Sequence, residues 1–370
     1  MRIFVTGATG FIGSAIVPEL INAGHQVLGL THSEAGAQSL IAAGAEAHRG
    51  NLEDLESLRS GAAQSDGVIH CAFDHDFSNF VANCEKDRRA IEALGAALSG
   101  SDRPLIITSG TGMGNAVPGQ PATEDSFNPN HPNPRKASEI AGASVAASGV
   151  NVSVVRLPQV HNMVKQGLVT YAIAVAREKG LSAYVGDGLN RYPAAHVLDT
   201  ARLYRLALEK QQAGARYHAV AEVGVPFRDI AEVIGRGLKV PVVAMSPEEA
   251  TPHFGWLAMF AGLDLPASSA QTQERLGWHP TGPGNKCATS KPEQAACMFS
   301  DNPVCPDNHR GLEGARRDPA GGSQGVARDR SIARTATPET NHLSMSAWAM
   351  TQQMKFAPRR IAPMNTFYRS

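Results

Sequence analysis

Eight residues near the start of the chain constrain it more than any others: Thr6-Gly7-Ala8-Thr9-Gly10-Phe11-Ile12-Gly13. They follow a short apolar run, Ile3-Phe4-Val5, and lead into a segment with helical spacing, Gly13–Ala23. A glycine pattern between a strand and a helix is the opening of a βαβ unit that holds a dinucleotide. Gly7 permits the tight turn, Gly10 lets the backbone approach a pyrophosphate, and Gly13 lets the helix pack against the sheet. The N–H groups and dipole of the helix N-terminus favour the phosphates. Gly7, Thr9, Gly10, Phe11, Ile12 and Gly13 are therefore the expected cofactor cradle. The plainer alternative is a glycine-rich turn that holds nothing.

The end of the second strand bears on the choice of cofactor. NAD sites usually place Asp or Glu there for the ribose hydroxyls. Here the residues are Leu30-Thr31-His32-Ser33, with no acid before Glu34. Thr31, His32 and Ser33 can hydrogen-bond a 2′-phosphate, so the reading is NADP or NAD, leaning to NADP. An exposed polar turn accounts for the same residues equally well.

Further along, apolar strands alternate with helical segments. Strands are expected at Ile3–Thr6, Gln26–Leu30, Ala45–Arg49, Gly67–Ala72, Leu105–Ser109 and Val152–Leu157, with helices such as Gly13–Ala23 and Lys86–Leu98 between them. Continuous apolar strands alternating with helices predict an α/β fold, a Rossmann-type doubly wound parallel sheet covered on both faces. After Pro158 the pattern loosens. Helices are expected at Leu168–Lys179, Val197–Gln211, Pro226–Gly237 and Pro247–Gly262, with a Gly186-Asp187-Gly188 turn. The expected organisation is a dinucleotide-binding domain over 1–165, to which 190–205 returns, and a mainly substrate-binding region over 166–283.

Apolar periodicity then stops. From Gly284 onward the chain is rich in Gly, Pro, Ser, Thr and Arg, carries a net charge of +5 against −5 for the body, and holds three of the five cysteines. Such a segment cannot bury a core, and a disordered tail is expected over 284–370. A frameshifted or fused reading frame and a natural tail both account for it. The whole chain is neutral, which points to neither nucleic acid nor an anionic membrane as partner. No apolar run reaches the length of a membrane span, and the first residues do not read as a signal peptide. A cytoplasmic protein with reduced thiols is expected. The cysteines form no CxxC pair, so no metal is expected. The expected partner is a small-molecule substrate, and a homodimer stays open.

The residues resemble an extended short-chain dehydrogenase/reductase of the NAD-dependent epimerase/dehydratase type over about residues 1–283. Thr6-Gly7-x-x-Gly10-x-x-Gly13 is similar to its glycine motif. Gly50-Asn51-Leu52 resembles its Gly-Asp-Leu, with Asn51 replacing Asp near the adenine. Val68-Ile69-His70-Cys71-Ala72 resembles the strand beneath the cofactor, and Arg156-Leu157-Pro158 the Arg-x-Pro element beside the nicotinamide. Gly186-Asp187-Gly188 with His196-Val197-Leu198-Asp199 resembles a later motif before a helix. The resemblance implies cofactor contacts at Asn51, Leu52, Ala72 and Pro158. It implies an oxidoreductase or epimerase-like activity on a small carbonyl, alcohol or sugar-like compound.

Typical members use Ser or Thr and then Tyr-x-x-x-Lys, the phenol exchanging a proton while hydride moves. This chain reads Asn130-His131-Pro132-Asn133-Pro134-Arg135-Lys136-Ala137-Ser138-Glu139, with no tyrosine. In this it resembles the atypical subgroups. Counting back four from Lys136 gives Pro132. Aligned on Glu139, Arg135 takes the Lys position and His131 the Tyr position. His131 is a proton-transfer candidate by its ordinary pKa, although an exposed loop histidine is the plainer reading. Arg135 or Lys136 is left to contact the ribose. Ser109 and Thr111 flank Gly110 where the family keeps its Ser or Thr. Asp74-His75-Asp76, Tyr184 and Tyr192, and the cluster Phe254, Trp256, Met259 and Phe260 are secondary candidates, more simply read as a polar loop and packing residues. A catalytically weak NAD(P)-binding redox sensor is the rival function.

Overall fold

Alternate side chains of the first strand enter two different cores, which makes the strand the middle layer of a sandwich. Ile3 and Val5 join one apolar cluster, and Phe4 joins another. The computed structural model describes residues 1–284, all within one compact unit. The expected tail from 284 onward lies outside the described residues, Gly284 itself excepted.

The N-terminal part runs β1 (Arg2–Thr6), α1 (Gly13–Asn22), β2 (Gln26–Thr31), α2 (Glu34–Ala42), β3 (Glu46–Arg49), α3 (Leu55–Ala63), β4 (Gly67–His70), α4 (Phe80–Leu98), β5 (Leu105–Gly110), α5 (Lys136–Ala147) and β6 (Val152–Leu157). There follow β7 (Gln159–His161), α6 (Val169–Lys179), β8 (Ser182–Val185), β9 (Arg191–His196), α7 (Val197–Lys210), β10 (Arg216–His218), β11 (Glu222–Pro226), α8 (Phe227–Leu238), β12 (Val242–Met245), α9 (Pro247–Phe254), α10 (Ala258–Ala261) and α11 (Ala270–Leu276).

Seven strands form one sheet in the order β10-β6-β5-β4-β1-β2-β3, and every pairing in it is parallel. Helices α3, α4 and α5 cover one face around Phe4, Leu58, Ile91, Leu94 and Val145. Helices α1 and α7 cover the other around Ile16, Leu20, Leu203, Leu208 and Trp278. This is the Rossmann-type arrangement. Strand order reverses direction between β1 and β4, and the carboxyl ends flanking that point form the crevice where such sheets bind ligands.

A smaller lobe sits on a separate apolar cluster that includes Ile173, Tyr192, Phe227, Ile234 and Phe254. Its strands form two small sheets, β11-β9-β7 and β12-β8. The return to the large sheet extends well past 190–205. Helix α7 packs beneath the sheet, β10 becomes its edge strand, and Trp278 is fully buried there, donating from its indole N–H to the Asp199 carbonyl at 2.9 Å. Apolar periodicity in α7 marks a buried helix but does not say which layer buries it.

The single helix expected over Pro247–Gly262 is instead α9, a 3-10 turn at Gly255–Leu257, and α10. Gly255 breaks it with φ 56° and ψ −130°. Among the described residues no helix is long and apolar enough to cross a membrane.

Candidate functional site

A cavity of about 940 Å³ opens over the carboxyl ends of the sheet. Its floor is the glycine loop. Gly7 has φ +70°, and a Cβ there would lie 2.8 Å from the Ala72 backbone. A Cβ at Gly13 would lie 2.0 Å from the Gly7 carbonyl oxygen, so loop and helix fit only as glycines. Helix α1 begins without a side-chain cap. The Ser14 N–H donates to the Gly10 carbonyl at 2.9 Å, and the positive end of the helix that opens at this loop is a ready anion site. Gly7, Thr9, Gly10, Phe11, Ile12 and Gly13 all line the cavity. These residues fit a dinucleotide.

At one end stand Thr31, His32, Asn51 and Leu52. Thr31 is buried and His32 exposed. Ser33, expected here, does not line the cavity. Its hydroxyl caps α2 by accepting from the Gly36 N–H at 3.1 Å, the ordinary use of serine at a helix start. Glu34 pairs with Arg49. The Gln38 hydrogen bond and the Arg49 charge hold the Glu34 carboxyl below its usual range. The Asn51 side-chain oxygen accepts from the Glu53 and Asp54 N–H groups at 2.8 and 3.0 Å, which shapes the turn before α3.

The centre of the cavity rests on a buried polar network that the sequence reading missed. Asp87, on α4, is 1% exposed. Its carboxylate accepts from Arg135 at 2.6 Å and from the Ser138 hydroxyl at 2.5 Å, and lies 3.1 Å from His70 Nε2. His70 Nδ1 lies 2.7 Å from the Thr6 hydroxyl, which accepts the Ala72 N–H at 3.3 Å. Burial pushes the Asp87 carboxyl up, but the Arg135 charge and the His70 bond prevail and hold it well below the carboxylate range. Arg135 also donates to Ser138 and, at 3.0 Å, to the Thr108 carbonyl, and it lies 4.1 Å from the Phe73 ring centroid. A carboxylate among Cys84, Ile91, Leu94 and Leu98 on the buried face of α4 was the available signal, because a buried charge demands a partner.

Of the catalytic candidates, Ser109 and Arg135 line the cavity, with Ala72 and Pro158 beside them. The Ser109 hydroxyl is buried and has no hydrogen-bond partner in the protein. Thr111, His131 and Lys136 are outside the lining. Thr111 is buried in the 3-10 turn Thr111–Gly114, where the chain leaves β5. His131 is held in its loop by the Asn133 N–H, which donates to Nδ1 at 3.1 Å. Burial, and then the Lys136 charge, push its pKa down. The rotation of α5 decides between Arg135 and Lys136. Glu139 is buried and paired with the fully buried Arg156 at 2.7 and 2.8 Å. Ser138, Glu139 and Gly142 occupy the covered side, and helical spacing brings position 135 to it rather than 136.

The other end of the cavity is aromatic. Phe73, His75, Phe77, Phe80, Tyr171 and Phe260 line it, and Lys165 stands at its rim. Phe77 stacks on Trp256 with centroids 4.6 Å apart and planes 10° apart. Tyr171 meets the edge of both rings. The secondary candidates therefore divide. Asp74 pairs with Lys86 at 2.9 Å, and Asp76 caps the 3-10 turn through Ser78 at 3.0 Å. His75 faces the cavity. Phe254 is core, Met259 is exposed, Phe260 lines the aromatic end, and Trp256 stacks on Phe77 from outside the lining. Tyr184 and Tyr192 do not line the cavity. Tyr192 is buried and donates to the Phe260 carbonyl at 2.7 Å, which fixes that segment. Among the described residues no group of three or more His, Cys, Asp or Glu side chains is placed to hold a metal.

The sequence pattern of the NAD dependent epimerase/dehydratase family matches residues 3–224. An uncharacterized protein of Schizosaccharomyces pombe is 51% identical over 282 residues, spanning 76% of this chain and 95% of the relative. One of Saccharomyces cerevisiae is 44% identical over 284 residues, again 76% and 95%. Among solved structures, the dTDP-glucose 4,6-dehydratase DesIV of Streptomyces venezuelae, with NAD and TYD bound, superposes with a TM-score of 0.63. It shows 19% identity and covers 78% of this chain and 95% of that one. This last likeness is one of fold.

Proposed function

This chain belongs to the NAD dependent epimerase/dehydratase family, and we propose that it is an NAD(P)-dependent oxidoreductase acting on a small carbonyl or alcohol. The observation that carries the proposal is Ser109. Ser109 is buried, its hydroxyl has no hydrogen-bond partner in the protein, and the residue lines the same cavity that the glycine loop floors. A buried hydroxyl without a partner is costly unless a ligand completes it.

When bound, the dinucleotide supplies or accepts a hydride at its nicotinamide. The chain's own residues do the rest. The α1 N-terminus holds the pyrophosphate, and Ala72 and Pro158 flank the nicotinamide end. The Ser109 hydroxyl donates to the substrate carbonyl oxygen. Arg135, a fixed positive charge, stabilises the oxyanion as it forms. Asp87 and the Thr108 carbonyl position that guanidinium. Glu139, Arg156 and Ser138 hold α5 in the rotation that presents it. Proton exchange in this site does not use a tyrosine on α5.

The cofactor is NADP in preference to NAD on this reading. No carboxylate lies at the end of β2 to meet a ribose 2′-hydroxyl, while His32 at the rim suits a 2′-phosphate. The solved dTDP-glucose 4,6-dehydratase holds TYD beside its NAD. Here Lys86 is matched by Asp74 and Glu53, which leaves Arg135 and Lys165 as the cations of the substrate end.

The test is fluorescence titration with NADPH and NADH, then turnover of a carbonyl panel by wild type and Ser109→Ala. Loss of one well-aligned oxyanion donor costs about 10²-fold in kcat, with dinucleotide affinity unchanged. Dinucleotide binding without any turnover would support the redox-sensor reading, which the missing tyrosine favours. No binding of either dinucleotide would defeat both.

A further inference from the structure

We propose that the substrate is a planar aromatic dicarbonyl of the quinone class, held between Phe77 and Arg135 and reduced to its hydroquinone. The inference rests on the oxidoreductase reading above and adds the chemistry of the occupant.

Two independent observations carry it. The first is the shape and character of the far end of the cavity. Phe77 and Phe80, three residues apart where a 3-10 turn runs into α4, meet with ring centroids 5.6 Å apart, and Phe260 of the small lobe lies 6.1 Å from Phe77. Phe77 lies flat on Trp256, and Tyr171 stands on edge to that indole at 4.9 Å. Phe73 continues the surface to the Arg135 guanidinium. Aromatic walls hold flat π-systems by offset stacking and edge contacts. Several of these rings are only partly buried even though a full core lies beneath them. Tyr171, which lines the cavity, is 39% exposed, and Trp256, outside the lining and stacked behind Phe77, is 41% exposed, so ring surface at this end is left open to a ligand.

The second observation is the acid–base inventory. Reduction of an ordinary ketone makes an alkoxide, whose conjugate acid is a water-like O–H with a pKa near ~16. That step needs a strong proton donor at the reacting oxygen. The proposed reacting end offers Ser109, an alcohol, Arg135, which keeps its proton, and His75, whose protonated form is disfavoured by burial and by the Arg135 charge. Reduction of a quinone makes a phenolate, whose conjugate acid has a pKa of about 10 as for a tyrosine phenol. A hydrogen bond and a fixed positive charge suffice to stabilise that oxyanion. The site is therefore equipped for a product oxyanion that is intrinsically stable.

The balance is as follows. The quinone receives one hydride, two electrons and one proton, from the C4–H bond of the reduced dinucleotide, which becomes NAD(P)+. One C=O becomes C–OH as the new O–H bond forms, the ring becomes aromatic, and the second carbonyl oxygen becomes a phenolate beside Ser109 and Arg135. That oxygen takes one proton from water on release. No bond to the protein is made.

The experiment uses the full chain with NADPH and NADH and follows nicotinamide absorbance. The probes are 1,4-naphthoquinone, butanal and a nucleotide sugar. The expected result is quinone reduction with kcat/KM at least about 100-fold above that for butanal, a discrimination of about 2.7 kcal/mol in favour of the quinone. Phe77→Ala and Trp256→Ala should raise KM for the quinone at least tenfold while dinucleotide affinity stays unchanged. Trp256→Phe, which keeps a stacking ring, should restore most of it. Quinone reduction indifferent to these substitutions would overturn the proposal. So would dinucleotide binding with turnover of butanal or the nucleotide sugar but not of the quinone. A second measurement separates this inference from the reading beneath it: naphthoquinone quenching of tryptophan fluorescence, as the difference between wild type and Trp256→Phe, needs no dinucleotide. Absent quenching counts against the aromatic site alone, and absent dinucleotide binding counts against the proposed function alone.

Discussion

Replacing Asp87 by alanine should destabilise the protein more than any change at its surface. Asp87 is 1% exposed and satisfies Arg135, Ser138 and His70 together. Alanine leaves a guanidinium of a partly buried arginine without its counter-charge and strands a ring nitrogen in the interior. Breaking one side of a buried ion pair costs about 3–5 kcal/mol. At roughly 2–4 °C per kcal/mol for domains of 150–250 residues, the melting temperature should fall on the order of 10 °C. Asp87→Asn keeps an acceptor for Arg135 and should lose less. Removing both partners, Asp87→Ala with Arg135→Ala, should cost less than the sum of the two single changes, because neither leaves an orphan charge for the other. The carboxyl is held below its unfolded value near ~3.9. Its contribution is therefore complete above that pH and is lost as pH falls through the folded value, so the gap between wild type and Asp87→Ala should narrow in acid. Thermal melts from pH 8 to pH 3 check this. A loss under about 1 kcal/mol at neutral pH, or strict additivity of the two substitutions, would refute the account of Asp87 as the anchor of Arg135.

Three other outcomes follow from the same geometry. Gly13→Ala places a methyl group where the Gly7 carbonyl oxygen already sits, 2.0 Å away; NADPH affinity should fall more than about tenfold, at least 1.4 kcal/mol, in an equilibrium titration. His32→Asp puts a carboxylate at the proposed 2′-phosphate position and should shift the NADPH-to-NADH affinity ratio about tenfold or more toward NADH, since like charges repel over such distances. His161 is fully buried, neither ring nitrogen has a partner in the protein, and burial pushes its pKa down to about 4. A folded value below the unfolded ~6.5 means stability is full above pH 6.5 and drains as pH falls toward 4. The drain amounts to roughly 3 kcal/mol, and His161→Leu should flatten that limb of the stability–pH curve.

Much of the large sheet was legible because its signals are local. Strand and helix periods in 1–160 require only neighbouring residues, and the glycine spacing states a backbone geometry outright. That these residues share one cavity end follows from equally local features: Gly7, Gly10 and Gly13 sit in one turn, and Asn51 and Leu52 in another. Reading failed where a side chain's place depends on the rotation of a whole element. His131 and Arg135 belong to one short stretch, yet only Arg135 lines the cavity. The deciding contact is Glu139 with Arg156, one helix and one strand away. Ser33 looked like a phosphate ligand and is a helix cap, a use written in the same residue type.

By itself the sequence determined the glycine loop, the alternating strands and helices and the absence of a tyrosine on α5, because each is a property of consecutive residues. The tertiary structure decided which polar groups meet. It brought Asp87 of α4 to Arg135 and His70, left the Ser109 hydroxyl without a partner, and stacked Phe77 on Trp256. Those contacts join residues distant in sequence. They exist only once burial has fixed how each helix is rotated and where the small lobe covers the sheet, and periodicity along a chain carries no such information.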